Sequence, residues 1–163
     1  MIAIWIALAC GVLGGVYVLI DAGYQRATPV AASFTLAQSM SDYRAALIGY
    51  ALGHPDFEGS VPAASLQPLL APRTVDPLWR NFVTPNTTAP GSLVVVYATS
   101  TSATPAIAGI ERISNGSAFA GVSFNGSVVS PGNQPVPLPA ALAGGVPDGM
   151  PVWIAQAYQP QAR

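Results

Sequence analysis

The chain has 163 residues, of which 51% are hydrophobic and 8% charged, with a formal net charge of −1. Globular chains average ~25% charged residues, so a soluble enzyme with a charged surface is not the class to expect. The six basic residues are all arginine and lie singly along the chain, which excludes a basic nucleic-acid face, and one cysteine, Cys10, excludes an internal disulfide.

The first predicted element is Ile2 to Ile20, IAIWIALACGVLGGVYVLI, which holds no charge and no proline. A helix of this length, at 1.5 Å rise per residue, reaches ~28 Å against ~30 Å of bilayer hydrocarbon. It predicts a single-pass transmembrane anchor over residues 1–22 and one small domain over 23–163. A cleaved signal peptide, the rival, would start with basic residues and end in an Ala-x-Ala-like site; no Lys or Arg precedes this run. Leu8-Ala9-Cys10-Gly11 has the outline of a lipoprotein box, which would lipidate Cys10, but Cys10 also reads as a small apolar helix residue. Gly11 and Gly15 have the spacing that lets membrane helices approach closely, a route to self-association. The Ser/Thr/Asn/Gly-rich, lysine-free remainder suits a domain outside the cytoplasm.

The stretch ASFTLAQSM, Ala32 to Met40, raises the question of a prepilin cleavage site before Phe34. Such a site is followed by a long apolar helix, whereas here Asp42 and Arg44 follow within a few residues, and Ser33 stands where glycine is expected. An amphipathic helix over residues 31–52 fits better. Leu36, Met40, Tyr43, Leu47 and Tyr50 form one apolar stripe, with Gln38, Ser41, Asp42 and Arg44 off it. Thr28-Pro29 supplies a start and Gly53-His54-Pro55 a stop. His54, the sole histidine, is placed to satisfy a carbonyl at the helix end and has no catalytic partner in view.

Pro55 to Pro90 reads as an ordered connector, interrupted by proline, with a short helical piece at Pro62 to Leu66 and Trp79 pinning a loop to the core. Ser92 to Ala98 is a β-branched run and predicts a central strand over 92–98. Pro105 to Ser114 predicts a short helix stopped by Asn115-Gly116, with a strand as the competing reading. Strands over 118–124 and 127–130 flank Asn125-Gly126, the pair a two-residue type I′ turn favours. Pro135 to Gly149 reads as a Pro/Gly/Ala loop whose exposed apolar part, Pro135 to Val146, is a candidate contact surface. A last strand is predicted over 151–156. The fold class is α+β: after the transmembrane helix, one long amphipathic helix packs on a small, mainly antiparallel sheet.

No phosphate-binding glycine loop is present, and no Cys/His or carboxylate set has metal spacing. No catalytic, cofactor-binding or metal-binding residue is therefore assigned, and neither a small-molecule substrate nor nucleic acid is expected as a partner. Asn86, Asn115 and Asn125 lie in N-glycosylation patterns, but the last two coincide with Asn-Gly turns, and turn geometry accounts for them.

In order, the chain carries a short apolar anchor, then AQSMSDYRAALIGYALGHPDFEG, LWRNFV, LVVVYATS, AGVSFNGSVVSP and LPAALAGGVPDGMPVWIA. This order and spacing resembles the small PilM family of thin type IV pili encoded on IncI-type conjugative plasmids, not the larger actin-like protein of the same name. The chain departs from the family in a longer Ala/Gly-rich insert near Ala140 to Val146. The resemblance implies no catalytic residues. It implies a membrane-anchored component of pilus biogenesis, needed for conjugation in liquid, whose partners are other pilus assembly proteins or pilins; with the composition of the remainder, the expected place is the inner membrane with the domain in the periplasm. A minor-pilin-like subunit that enters the fibre, and a periplasmic binding module or lipoprotein, are the alternatives.

Overall fold

The computed structural model of the protein describes residues 30–158. The anchor over 1–22, with Cys10, Gly11 and Gly15, lies outside the described residues, as does Thr28-Pro29. Among the described residues no helix is long and apolar enough to cross a membrane.

Helix α1 occupies 30–53 of the described chain, so Ser33 and Phe34 fall within a helix. Met40, Tyr43 and Leu47 of the predicted stripe are buried, and Leu36 and Tyr50 pack against the same cluster from its margin. Ala37, Ala46 and Ala51 are buried beside them; with only a methyl group each, they let the helix lie close to its support. The helix stops at Gly53-His54-Pro55. His54 Nδ1 lies 2.9 Å from Tyr50 O, where an Nδ1–H donates to the terminal carbonyl. The two rings stack at 4.2 Å, and Phe57 meets Tyr50 edge-on.

The remaining elements are α2 (Ala63–Leu70), β1 (Trp79–Pro85), β2 (Ser92–Ala98), a 3₁₀ turn at Thr101–Ala103, α3 (Ala106–Ile113), β3 (Ala120–Phe124), β4 (Ser127–Val129), β5 (Val136–Pro137) and β6 (Pro151–Ala157). The strands form one six-stranded sheet in the order β1-β2-β6-β3-β4-β5, and each neighbouring pair is antiparallel. The α+β class thus holds for the domain, and β2 is interior as its composition implies. Helix, rather than strand, is the outcome for 106–113. Asn115 and Asn125 take φ values of 53° and 48°, so turn geometry explains both Asn-Gly pairs.

The sheet has cover on both faces. On one, α1, α2 and α3 enclose Trp79, Val83, Val94, Val96, Ala120 and Trp153. On the other, Val95, Val128, Val152 and Ile154 pack under Leu138, Leu142, Val146 and Met150. This corrects the reading of Pro135 to Val146 as an exposed apolar surface: Leu138, Leu142 and Val146 are only 6%, 5% and 6% exposed. The insert is the lid of the second core, because an apolar sheet face left to water forfeits ~25 cal/mol per Å².

The short helical piece expected at Pro62 to Leu66 is α2, but the connector reading of Pro55 to Pro90 is corrected at β1, a regular strand within it. Trp79 begins β1, and its buried ring fastens the end of the preceding segment to the helix-side core. The outer margin of β1 is occupied. Val83 exchanges both main-chain hydrogen bonds with Gly59, at 2.8 Å each, and Trp79 N–H donates to Asp76 O at 3.2 Å. At the opposite margin, Val136 pairs with Val128, and Leu138 N–H donates to Gly126 O. The even-numbered residues of this segment therefore face β4. Pro135, Pro137 and Pro139 face outward and have no N–H to offer.

One glycine sets the spacing of two helices. A Cβ on Gly109 of α3 would sit 2.7 Å from Ala37 Cβ and from Ser33 O of α1. Only a residue without a side chain allows that approach.

Candidate docking surface

The segment from Leu70 to Trp79 runs alongside α1 and is fastened to it by side chains. Ser39 Oγ donates to Asp76 Oδ2 at 3.2 Å and accepts from Trp79 Nε1 at 3.0 Å. Asp76 Oδ1 accepts from Leu78 N–H at 2.9 Å, fixing the turn that leads into β1. Asp42 forms an ion pair with Arg73 and accepts from Gln38 Nε2 at 3.2 Å. Gln67 on α2 bridges the same segment, donating to Arg73 O and accepting from Val75 N–H. The Asp42–Arg73 pair is open to water, so it contributes at most ~1 kcal/mol. It serves to place the segment more than to stabilise the fold.

Between α1 and this segment lies a groove of about 330 Å³. It is lined by the apolar side chains of Phe34, Tyr43 and Leu70 and by the polar Ser39, Asp42, Arg73 and Asp76. Phe34 is 47% exposed. An exposed aromatic beside apolar and polar lining side chains makes it a candidate contact surface.

Beneath the segment, Asn81 of β1 is a buried polar hub, 4% exposed. Its Nδ2 donates to Tyr43 Oη at 2.8 Å and to Val61 O at 3.0 Å, while its Oδ1 accepts from Val61 N–H at 2.6 Å. Burial raises the Tyr43 pKa above the ordinary tyrosine value, and the Asn81 hydrogen bond opposes that shift.

The arrangement does not assemble a nucleophile. Ser39 already donates to Asp76 and receives Trp79. His54 lies beyond the far end of α1, about 20 Å away at 1.5 Å per residue. Among the described residues no group of three His, Cys, Asp or Glu side chains could hold a metal ion. Ser39, Asp76 and Asn81 carry no local sequence signal, because their roles arise from contacts some 20 to 40 residues apart along the chain.

Comparison with known proteins gives one family. The PilM family model matches residues 9–154. No curated protein matches. No solved structure matches.

Proposed function

Starting from the premise that this chain belongs to the PilM family of thin pili, we propose that it is a membrane-anchored, non-catalytic part of type IV pilus biogenesis. In this reading it serves a conjugative pilus, is held in the inner membrane with its domain in the periplasm, and docks other pilus proteins. The family match carries the reading. It begins at residue 9, within the apolar run, which supports reading part of that run together with the domain. The groove along α1, lined in part by the exposed Phe34, supports a docking role.

Deleting the gene and restoring it in trans, with piliation and transfer in liquid scored, tests the assignment. Loss of pili with rescue is expected, and normal pili in the deletion strain overturn it. Carbonate extraction tests the anchor, which predicts that the protein stays with membranes. Entry into the fibre as a minor pilin would show in the intact mass as loss of the residues before Phe34, and the lipoprotein reading as acylation at Cys10. Full-length, unmodified mass is the expected result.

A further inference from the structure

On the other flank of α1, Arg44 lies over Trp153, its guanidinium carbon 4.0 Å from the ring centroid. Its Nε is buried without a hydrogen-bond partner. Among the described residues the ion pair is Arg73 with Asp42, and Arg44 forms none. Burial lowers its pKa from the ordinary arginine value. The side chain is half-buried and held against the Trp153 face, with one N–H left unmatched, which makes the site receptive to an anion.

Arg44 lines a groove of about 420 Å³ and, among the described residues, is the only charged side chain in it. Ile48, Ile113, Phe119 and Trp153 give apolar walls, and Phe119 is 50% exposed. The groove runs along a margin of β6. There β3 pairs only with Pro151 to Trp153, and one further bond joins Ile154 N–H to Phe119 O at 2.8 Å. Beyond it, Ala155 to Ala157 are paired on the β2 side alone. The even-numbered residues of β6 face β3, so the main chain of Gln156 presents its N–H and C=O to the groove.

We propose that this groove takes an extended segment of another protein, laid against the free margin of β6 with an Asp or Glu side chain on Arg44. The main-chain groups of Gln156 fix the segment as an added strand, the apolar walls take alternate side chains, and Arg44 selects the carboxylate. A second copy of this chain fits poorly. Its β1 margin is bonded to Gly59 and its β5 margin is proline. Among the described strands the free margin left to offer is β6 again, which would bring two Arg44 side chains together. The inference rests on the docking role proposed above and names the chemistry of one partner.

The test uses the full chain in detergent micelles and fluorescein-labelled, acetylated nonapeptides of alternating Val and Thr with a central Glu or Gln. Anisotropy titration should show the Glu peptide binding about tenfold tighter than the Gln peptide, with Arg44→Gln erasing the difference. Arg44→Lys, which keeps the charge, should retain part of it and carries the comparison if Arg44→Gln fails to fold. Equal binding of the two peptides, no binding of either, or an Arg44→Gln variant that still discriminates would overturn the proposal. So would tighter peptide binding after removal of residues 159–163, which would assign the groove to the chain's own tail, or a dimer lost on Arg44→Gln. None of these outcomes depends on piliation, so the peptide result and the deletion phenotype can fail separately.

Discussion

Asn81 donates to the Tyr43 hydroxyl at 2.8 Å, and this bond joins the first strand to the long helix inside the core. The same amide closes two bonds with Val61, so one side chain ties together α1, β1 and the segment before α2. Asn81→Ala should cost about 2–4 kcal/mol, because the Val61 main chain and the Tyr43 hydroxyl lose their partner away from water. Tyr43→Phe should cost about 1 kcal/mol, and a double-mutant cycle by urea unfolding should give a coupling of about 1 kcal/mol. Additivity of the two changes would show that the bond does not form.

The raised pKa of Tyr43 sets an alkaline limit. Burial favours the neutral phenol in the folded state, so folding holds the proton more tightly than the unfolded chain does. The sign follows: this contribution is fully present below ~10, the unfolded tyrosine value, and is lost as pH rises through the folded value. Denaturant midpoints measured upward from about pH 9 should therefore fall less steeply for Tyr43→Phe than for the parent.

Gly109 and Gly49 should respond in opposite directions. A side chain on Gly109 would collide with Ser33 O and Ala37 Cβ, whereas nothing lies within 4 Å of a Cβ on Gly49 in α1. Gly109→Val should destabilise by about 1–3 kcal/mol through overpacking, and Gly49→Ala should stabilise by about 0.5–1 kcal/mol. Thermal melts of the two variants check both signs.

Ser123 is fully buried and its hydroxyl has no partner. Ser123→Ala removes an unmet polar group and should leave stability unchanged or raise it by about 1 kcal/mol. A clear loss by urea unfolding would mean that the hydroxyl is bonded.

Leu47 is fully buried, whereas Leu69 is 50% exposed on α2. Leu47→Ala should cost about 2–5 kcal/mol and Leu69→Ala less than about 0.5 kcal/mol. Comparing their urea midpoints tests whether the stripe of α1 is the seam of the fold.

The elements legible in the sequence are those whose signal is local. The stripe from Leu36 to Tyr50, the β-branched run at 92–98 and the Asn125-Gly126 turn each carry their geometry in adjacent residues. β1 escaped because Asn81 occupies an inward position and breaks the apolar alternation that Trp79 and Val83 would otherwise show. β5 escaped because a strand flanked by proline is read as loop. The cover on the second sheet face escaped for a different reason: Leu138, Leu142 and Val146 are spaced by loop geometry and match neither strand nor helix period. Of the candidate surfaces, Phe34, Gln38, Asp42, Tyr43 and Arg44 were in view as residues of the helix, but not as members of a surface. Their settings depend on Trp153 and Leu70, which lie far along the chain.

The prolines at 135, 137 and 139 have a consequence for crowding. A margin that offers no donors gives a neighbouring copy nothing to zip onto, so many such domains can stand shoulder to shoulder without fusing into fibrils. Concentrated protein should stay monodisperse in light scattering, and replacing Pro135 and Pro137 with threonine should make it aggregate on standing.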